Sequence, residues 1–171
     1  MPTRKQAFSE LSPVFAAGVV WAAFSLALGL RGETPSGPVP WPREHHYLAQ
    51  AAFVLPLLAL MFLVYVRAAS TLARALGASS PSAISRAALA RAYGRPLLFC
   101  YLAPECVAYA LAGIGAVTAV ARFAAPLLFV AVVVLTTRVV ARSGGLGTGR
   151  AALASIGATL AQAVVGGLGL R

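Results

Sequence analysis

The sequence has 171 residues, 60% of them apolar and 11% charged, and a mean hydropathy of +0.83. A water-soluble domain carries about a quarter of its residues as charge, so these proportions exclude an ordinary soluble globule and make lipid the solvent for most of the surface. The net charge of +10 does not signify nucleic acid, because the basic residues sit between long uncharged stretches, where positive charge holds loops on the cytoplasmic face and meets anionic headgroups.

Five uncharged runs approach or reach the roughly 20 residues a helix needs to cross the hydrocarbon core. The first, 13–30, opens with Ser12 as N-cap and Pro13 at the first helical position and ends at Arg31-Gly32. Arg4 and Lys5 precede it in the manner of a signal peptide, but the spans that follow favour a retained helix. The second, 47–66, carries Pro56 at its middle, where a kink is expected, and its helical pattern extends to 76, before a C-terminal Gly77. The third, 96–121, is interrupted only by Glu105 and contains Pro104 as a second kink; the fourth, 123–141, ends around Arg138, which can snorkel to the interface. The fifth, 151–170, is rich in Ala and Gly. The expectation is a single all-α membrane domain, 1–171, built as a bundle of five transmembrane helices.

The connections differ in kind. Segment 31–46 holds four prolines and two glycines, which favour turns and extended structure, with Trp41 and Tyr47 suited to the headgroup level. The basic segment 67–95 contains Ser80-Pro81 and then Ile84, Arg86, Leu89 and Arg91, a pattern that predicts a short interfacial helix on the cytoplasmic membrane surface, ended by Gly94. With the N-terminus cytoplasmic, that side receives ten basic residues, among them Arg67, Arg74, Arg86, Arg91, Arg95, Arg138 and Arg142 at headgroup level, and the other side four. Five spans put the C-terminus outside; were 151–170 not to cross, the balance would be eleven to three, so charge alone does not reject four.

Glu105 is the one acid deep in a span. Counted from Pro96 it lies about 14 Å in, near the centre of a core about 30 Å thick, and Tyr101 and Tyr109, four residues to either side, share its helical face. Pro104 frees the carbonyl of Cys100. The stripe reads either as a proton or cation site or as a hydrogen-bonded acid that locks helices together. His45 and His46 are weak metal candidates, since adjacent histidines point apart and a site needs further ligands. Cys100 and Cys106 lie about 9 Å apart along a helix, too far for a disulfide. The glycine-rich stretch 142–150 lacks the Gly-Lys-Ser/Thr ending and the preceding strand of a phosphate loop, and the chain contains no Asp for a hydrolytic triad. No cofactor is expected.

The order of features from Thr71 onward, with Leu76-Gly77, then Ala92-Tyr93 and Pro96-Leu97-Leu98 entering a proline-containing span, and a fourth span that leads into Ala151-Ala-Leu-Ala, resembles the Yip family of multi-pass membrane proteins over about 100 residues. The resemblance implies five membrane helices and a cytoplasmic N-terminus; GTPase binding is not carried over, because the long N-terminal region of eukaryotic members has no counterpart. Arginine outnumbers lysine thirteen to one and alanine is the dominant apolar residue, as in a GC-rich bacterial genome. The expected protein is therefore a non-enzymatic component of a bacterial inner membrane, with a membrane-organising or assembly role. Its expected partners are the lipid bilayer and other membrane proteins or copies of itself. The alternatives are a small transporter that uses Glu105 as its coupling group and an accessory subunit of a larger membrane enzyme.

Overall fold

The computed structural model describes residues 4–35 and 42–169, with side chains described over 12–35 and 42–167. Trp41, the side chains of Arg4 and Lys5, and Arg171 lie outside these. The described residues are helical throughout their regular parts, in the order α1 (Arg4–Leu30), α2 (His46–Ala75), α3 (Arg86–Pro96), α4 (Ala103–Ala112), α5 (Ile114–Gly144) and α6 (Thr148–Gly169). By length and composition three stretches could cross a membrane: Ser12–Leu30, Arg43–Ala75 and Ile114–Gly144.

The first helix starts at Arg4, and Pro13 lies inside it rather than at its first turn. The residues ahead of Pro13 include good helix formers, Lys5, Gln6, Ala7 and Glu10, so the helix runs through the proline at the loss of one backbone bond. At its other end Gly32, at φ +70°, closes a Schellman turn: Glu33 N–H bonds Leu28 C=O at 3.1 Å and Gly32 N–H bonds Gly29 C=O at 3.1 Å. The same device ends α2. Gly77 is at φ +90°, with Ala78 N–H on Ala73 C=O at 2.9 Å and Gly77 N–H on Arg74 C=O at 3.1 Å. The sequence pattern extends the second helix to 76; in the structure α2 ends at Ala75, with Leu76 as its C-cap. Pro56 sits within α2, which runs past it unbroken.

The largest correction concerns 80–121. The segment expected to lie on the membrane surface forms a 3-10 turn over Pro81–Ala83 and then α3, capped by the Ser85 side chain, which accepts the Ala88 N–H at 3.4 Å. Gly94 does not end α3. Ala87, Leu89, Ala90, Ala92, Tyr93, Gly94 and Pro96 are buried, and the backbone passes directly into a π-helical stretch, Leu97–Leu102, and on into α4. The reason Gly94 stays helical lies in packing, since a Cβ there would be 2.5 Å from the Pro13 carbonyl carbon of α1. Only glycine allows the two backbones to meet that closely.

The π stretch has a local cause. Pro104 has no N–H, and its ring would clash with the Cys100 carbonyl one turn earlier. The ladder responds by widening just ahead of it, so that Ala103 N–H bonds Leu98 C=O, five residues back. Residues 86–112 thereby form one rod of 27 residues that starts ten residues earlier than the expected third span.

That rod ends at Gly113, not at Arg122. Gly113 has φ +74° and ψ −168°, a region open in practice to glycine alone. Its N–H bonds Tyr109 C=O at 2.9 Å while its C=O accepts Ala116 N–H at 3.2 Å, so one residue both closes α4 and opens α5. Arg122 is an exposed residue within α5. α5 ends at Gly145, φ +66°, and a short link leads to α6.

The described chain thus forms five helical rods: α1, α2, the α3–α4 rod, α5 and α6. α2 is central, packed along both α1 and α6. Gly18 of α1 faces Leu55 and Leu58 of α2, and Gly157 and Gly166 of α6 face Leu72 and Met61. These glycines admit side chains of α2 into the neighbouring helices. At the core Phe62, Tyr65 and Tyr93 stack with ring centroids 5.1 to 6.1 Å apart. Tyr65 hydrogen-bonds Thr136 of α5. Thr136 in turn donates to Val132 C=O at 2.6 Å, which makes the Tyr65 hydroxyl the donor in that pair. Tyr93 donates to Gln162 Oε1 of α6 at 3.0 Å. The buried phenols of Tyr65 and Tyr93 are therefore paired across rods, while buried Ser155 and Thr159 donate to carbonyls of their own helix.

Candidate functional site

Antiparallel packing of successive rods sorts the charged residues to two ends. One end holds Arg67, Arg74, Arg86, Arg91, Arg95, Arg138 and Arg142, all exposed, and Arg150, whose guanidinium donates to Leu76 C=O at 3.5 Å over the C-terminus of α2. A bond to a terminal carbonyl is favourable for a cation there. The opposite end holds Arg31, Glu33, Arg43, Glu44, His45 and His46, in and around the link between α1 and α2.

Glu105 belongs to this second end. Because the rod begins at Arg86, it lies about 28 Å along it and only about 12 Å from the Gly113 turn, not at the middle of a span that starts at Pro96. It is 6% exposed, set in the first turn of α4 just after the widened ladder. Tyr101, one turn earlier, lies close enough for its phenol and the carboxyl to interact electrostatically. Tyr101 also packs against Trp21 of α1, centroids 6.2 Å apart.

Tyr109, one turn beyond Glu105, reaches the link rather than the acid. It donates to Glu33 Oε1 at 3.0 Å and accepts from Arg31 Nη1 at 3.3 Å, with the Arg31 guanidinium 5.5 Å above its ring and Phe24 edge-on at 5.8 Å. The hydrogen bond to Tyr109 raises the pKa of Arg31 above its ordinary value, so the cation persists at any physiological pH. The three residues of the stripe share one side of the rod, yet they divide into two contacts: Tyr101 with Glu105, and Tyr109 with Glu33 and Arg31. A further polar tie holds α1 to α2 at this level, Ser25 Oγ donating to Gln50 Oε1 at 2.9 Å, with Ser25 1% exposed.

His45 is exposed and His46 buried, its ring edge-on to Tyr47 at 5.1 Å and its Nδ1 without a hydrogen-bond partner among the described residues. Among those residues no three His, Cys or acidic side chains gather as a metal site would require. Cys100 and Cys106 are free thiols, and Pro104 acts on the ladder as described.

Two features were not singled out in the sequence. Among the interhelical pairs, Ser25–Gln50 and Tyr93–Gln162 could have been suspected, since Gln50 and Gln162 are the amides that interrupt apolar runs, whereas Tyr65–Thr136 carries no such mark. The second feature, a cavity of about 940 Å³ between α1 and α2 at the arginine end, arises from packing and leaves no linear signal. Compared with models of known protein families, with curated proteins and with solved structures, the chain gives no match.

Proposed function

We propose that this chain is a five-span protein of a bacterial inner membrane, N-terminus cytoplasmic and C-terminus external, that performs no reaction of its own and organises or assembles membrane components by lateral helix contact. The observation that carries the reading is the outer face of the α4–α5 hairpin. Val107, Leu111, Phe123 and Leu127 are 57%, 82%, 79% and 57% exposed, while the opposite side of the hairpin is tied to the bundle through Tyr109. In lipid, such a face gains little from hydrophobicity and associates through packing against another helix. The end-to-end sorting of arginines fits a cytoplasmic arginine end. The resemblance of Ala92-Tyr93 and Pro96-Leu97-Leu98 to Yip proteins supports five membrane helices and the same orientation.

Purification of the full chain in a mild detergent, with identification and counting of co-purifying chains, tests this. A stoichiometric partner or a homo-oligomer that is lost when Leu111 and Phe123 are both changed to Ala is the expected result. A monomer without a partner, or association indifferent to those changes, refutes it. Reporter fusions after Gly147 and at the C-terminus should report opposite sides of the membrane; the same side for both would remove the fifth span.

A second reading is favoured by the burial of Glu105 beside Tyr101, about 12 Å from the Gly113 end of its rod. A carboxyl so placed can exchange a proton with the external side. In proteoliposomes containing a pH-sensitive dye, a transporter would admit protons and Glu105→Gln would stop them. The assembly reading expects no such flux and undiminished partner retention in the same variant.

A further inference from the structure

The cavity between α1 and α2 has two parts of opposite character. Phe15 of α1 and Leu55, Leu58, Phe62 and Leu63 of α2 form an apolar trough, and Arg67, Arg74 and Arg86 stand about its arginine-end mouth together with Ser70. Arg67, Ser70 and Arg74 fall at helical positions i, i+3 and i+7, on one face of α2, and Arg86 opens α3 across the gap. All three arginines are exposed, and none is paired with a described acid.

Three of the four acids of the chain, Glu33, Glu44 and Glu105, gather at the opposite end; the fourth, Glu10, belongs to the first half of α1. From Leu55 to Arg67 the trough runs about 18 Å along α2, close to the half-thickness of a hydrocarbon core about 30 Å across. It therefore matches one leaflet: an acyl chain along its floor and a phosphate at its mouth. Guanidinium groups suit that phosphate because their fork matches two oxygens at once.

We infer that the α1–α2 trough is a binding site for a single anionic phospholipid of the arginine-side leaflet, its phosphodiester held by Arg67, Arg74 and Arg86 and one acyl chain lying against the exposed Phe15 and Leu63. The site rests on the chain being embedded in a membrane, but on neither reading of the hairpin or of Glu105. Zwitterionic lipid fits the trough equally and lacks the net charge the mouth selects.

Native mass spectrometry of the detergent-solubilised full chain, offered equal amounts of dioleoyl-phosphatidylglycerol and dioleoyl-phosphatidylcholine, reads the preference. The wild-type chain should retain one phosphatidylglycerol in preference by about tenfold or more, in keeping with several arginines near an anionic headgroup. Changing Arg67, Arg74 and Arg86 together to Gln should bring the ratio close to one. A charge-matched control, Arg91, Arg138 and Arg142 to Gln, should keep it. Ala59→Phe, which fills the trough and leaves the arginines in place, should lower retention of both lipids at this site. Inorganic phosphate should not displace the bound lipid. Equal loss in the two triple variants would mean diffuse headgroup attraction and would overturn the site. Retention unaffected by Ala59→Phe, or displacement by phosphate alone, would remove the acyl chain from it. A chain that stays dissolved without surfactant would instead defeat the membrane reading itself.

Discussion

Gly94→Ala probes the contact on which the arrangement of the first and third rods depends. The added Cβ would lie 2.5 Å from the Pro13 carbonyl carbon, 2.6 Å from the Val14 nitrogen and 2.7 Å from the Pro13 oxygen. All three are main-chain atoms of a packed helix, so relief requires the two rods to separate rather than one side chain to turn. Overpacking costs about 1–3 kcal/mol, and contact with backbone places this case at the upper end; against it stands a helix-propensity gain of about 1 kcal/mol for Ala over Gly. The net expectation is a loss of about 2 kcal/mol. Reversible unfolding by sodium dodecyl sulfate in mixed micelles, followed by far-ultraviolet circular dichroism, measures it against two controls. Gly115→Ala meets nothing within 4 Å and should be neutral or stabilising. Gly157→Ala meets the Leu72 Cδ1 atom at 2.6 Å, a side-chain end that can rotate, and should fall between. If Gly94→Ala and Gly115→Ala agree within about 0.5 kcal/mol, as surface substitutions do, the close approach of α3 to Pro13 is wrong.

Gly113→Ala should destabilise by about 1–3 kcal/mol through backbone strain alone, since nothing lies within 4 Å of its Cβ position; equal stability for Gly113→Ala and Gly115→Ala in the same titration would contradict the one-residue turn. A double-mutant cycle of Tyr93→Phe with Gln162→Leu should return a coupling of about 0.6 kcal/mol, the usual size for a hydrogen bond between membrane helices, and additivity would deny the bond. The same cycle on Arg91 and Gln162 should be additive, because Arg91 is exposed and has no contact with the amide.

Much of the helical layout could be read from composition. Long uncharged runs located the cores of α1, α2, α5 and α6, and Gly77 after the last periodic residue marked a true C-terminal turn. The boundaries between 80 and 122 were not legible, and the reason is specific. Sequence reading placed breaks at polar residues, Ser80-Pro81 with Gly94 on one side and Arg122 on the other, whereas the chain reverses where a positive φ is required. Gly113 and Gly115 look alike in sequence; the fold uses one for a turn and leaves the other in a helix. Gly94 read as a stop because its neighbour, the backbone at Pro13, is 81 positions away. Helical spacing did place Tyr101, Glu105 and Tyr109 on one side of a rod. Their partners Trp21, Arg31 and Glu33 come from the far end of α1, and one-dimensional periodicity contains no information about such distant contacts.

The widened ladder ahead of Pro104 sets the rotational phase of everything that follows it. An α-helix advances about 100° per residue, and a wider turn absorbs roughly one residue more than the regular ladder would. α4 is consequently turned by about that angle from the azimuth an uninterrupted α3 would impose. Removing one residue between Leu97 and Leu102 would swing the phenol of Tyr109 away from Phe24 and Glu33 and turn Glu105 with it, with the composition and hydropathy of the segment almost unchanged. The azimuth of the acid is thus written in a missing amide proton one position before it.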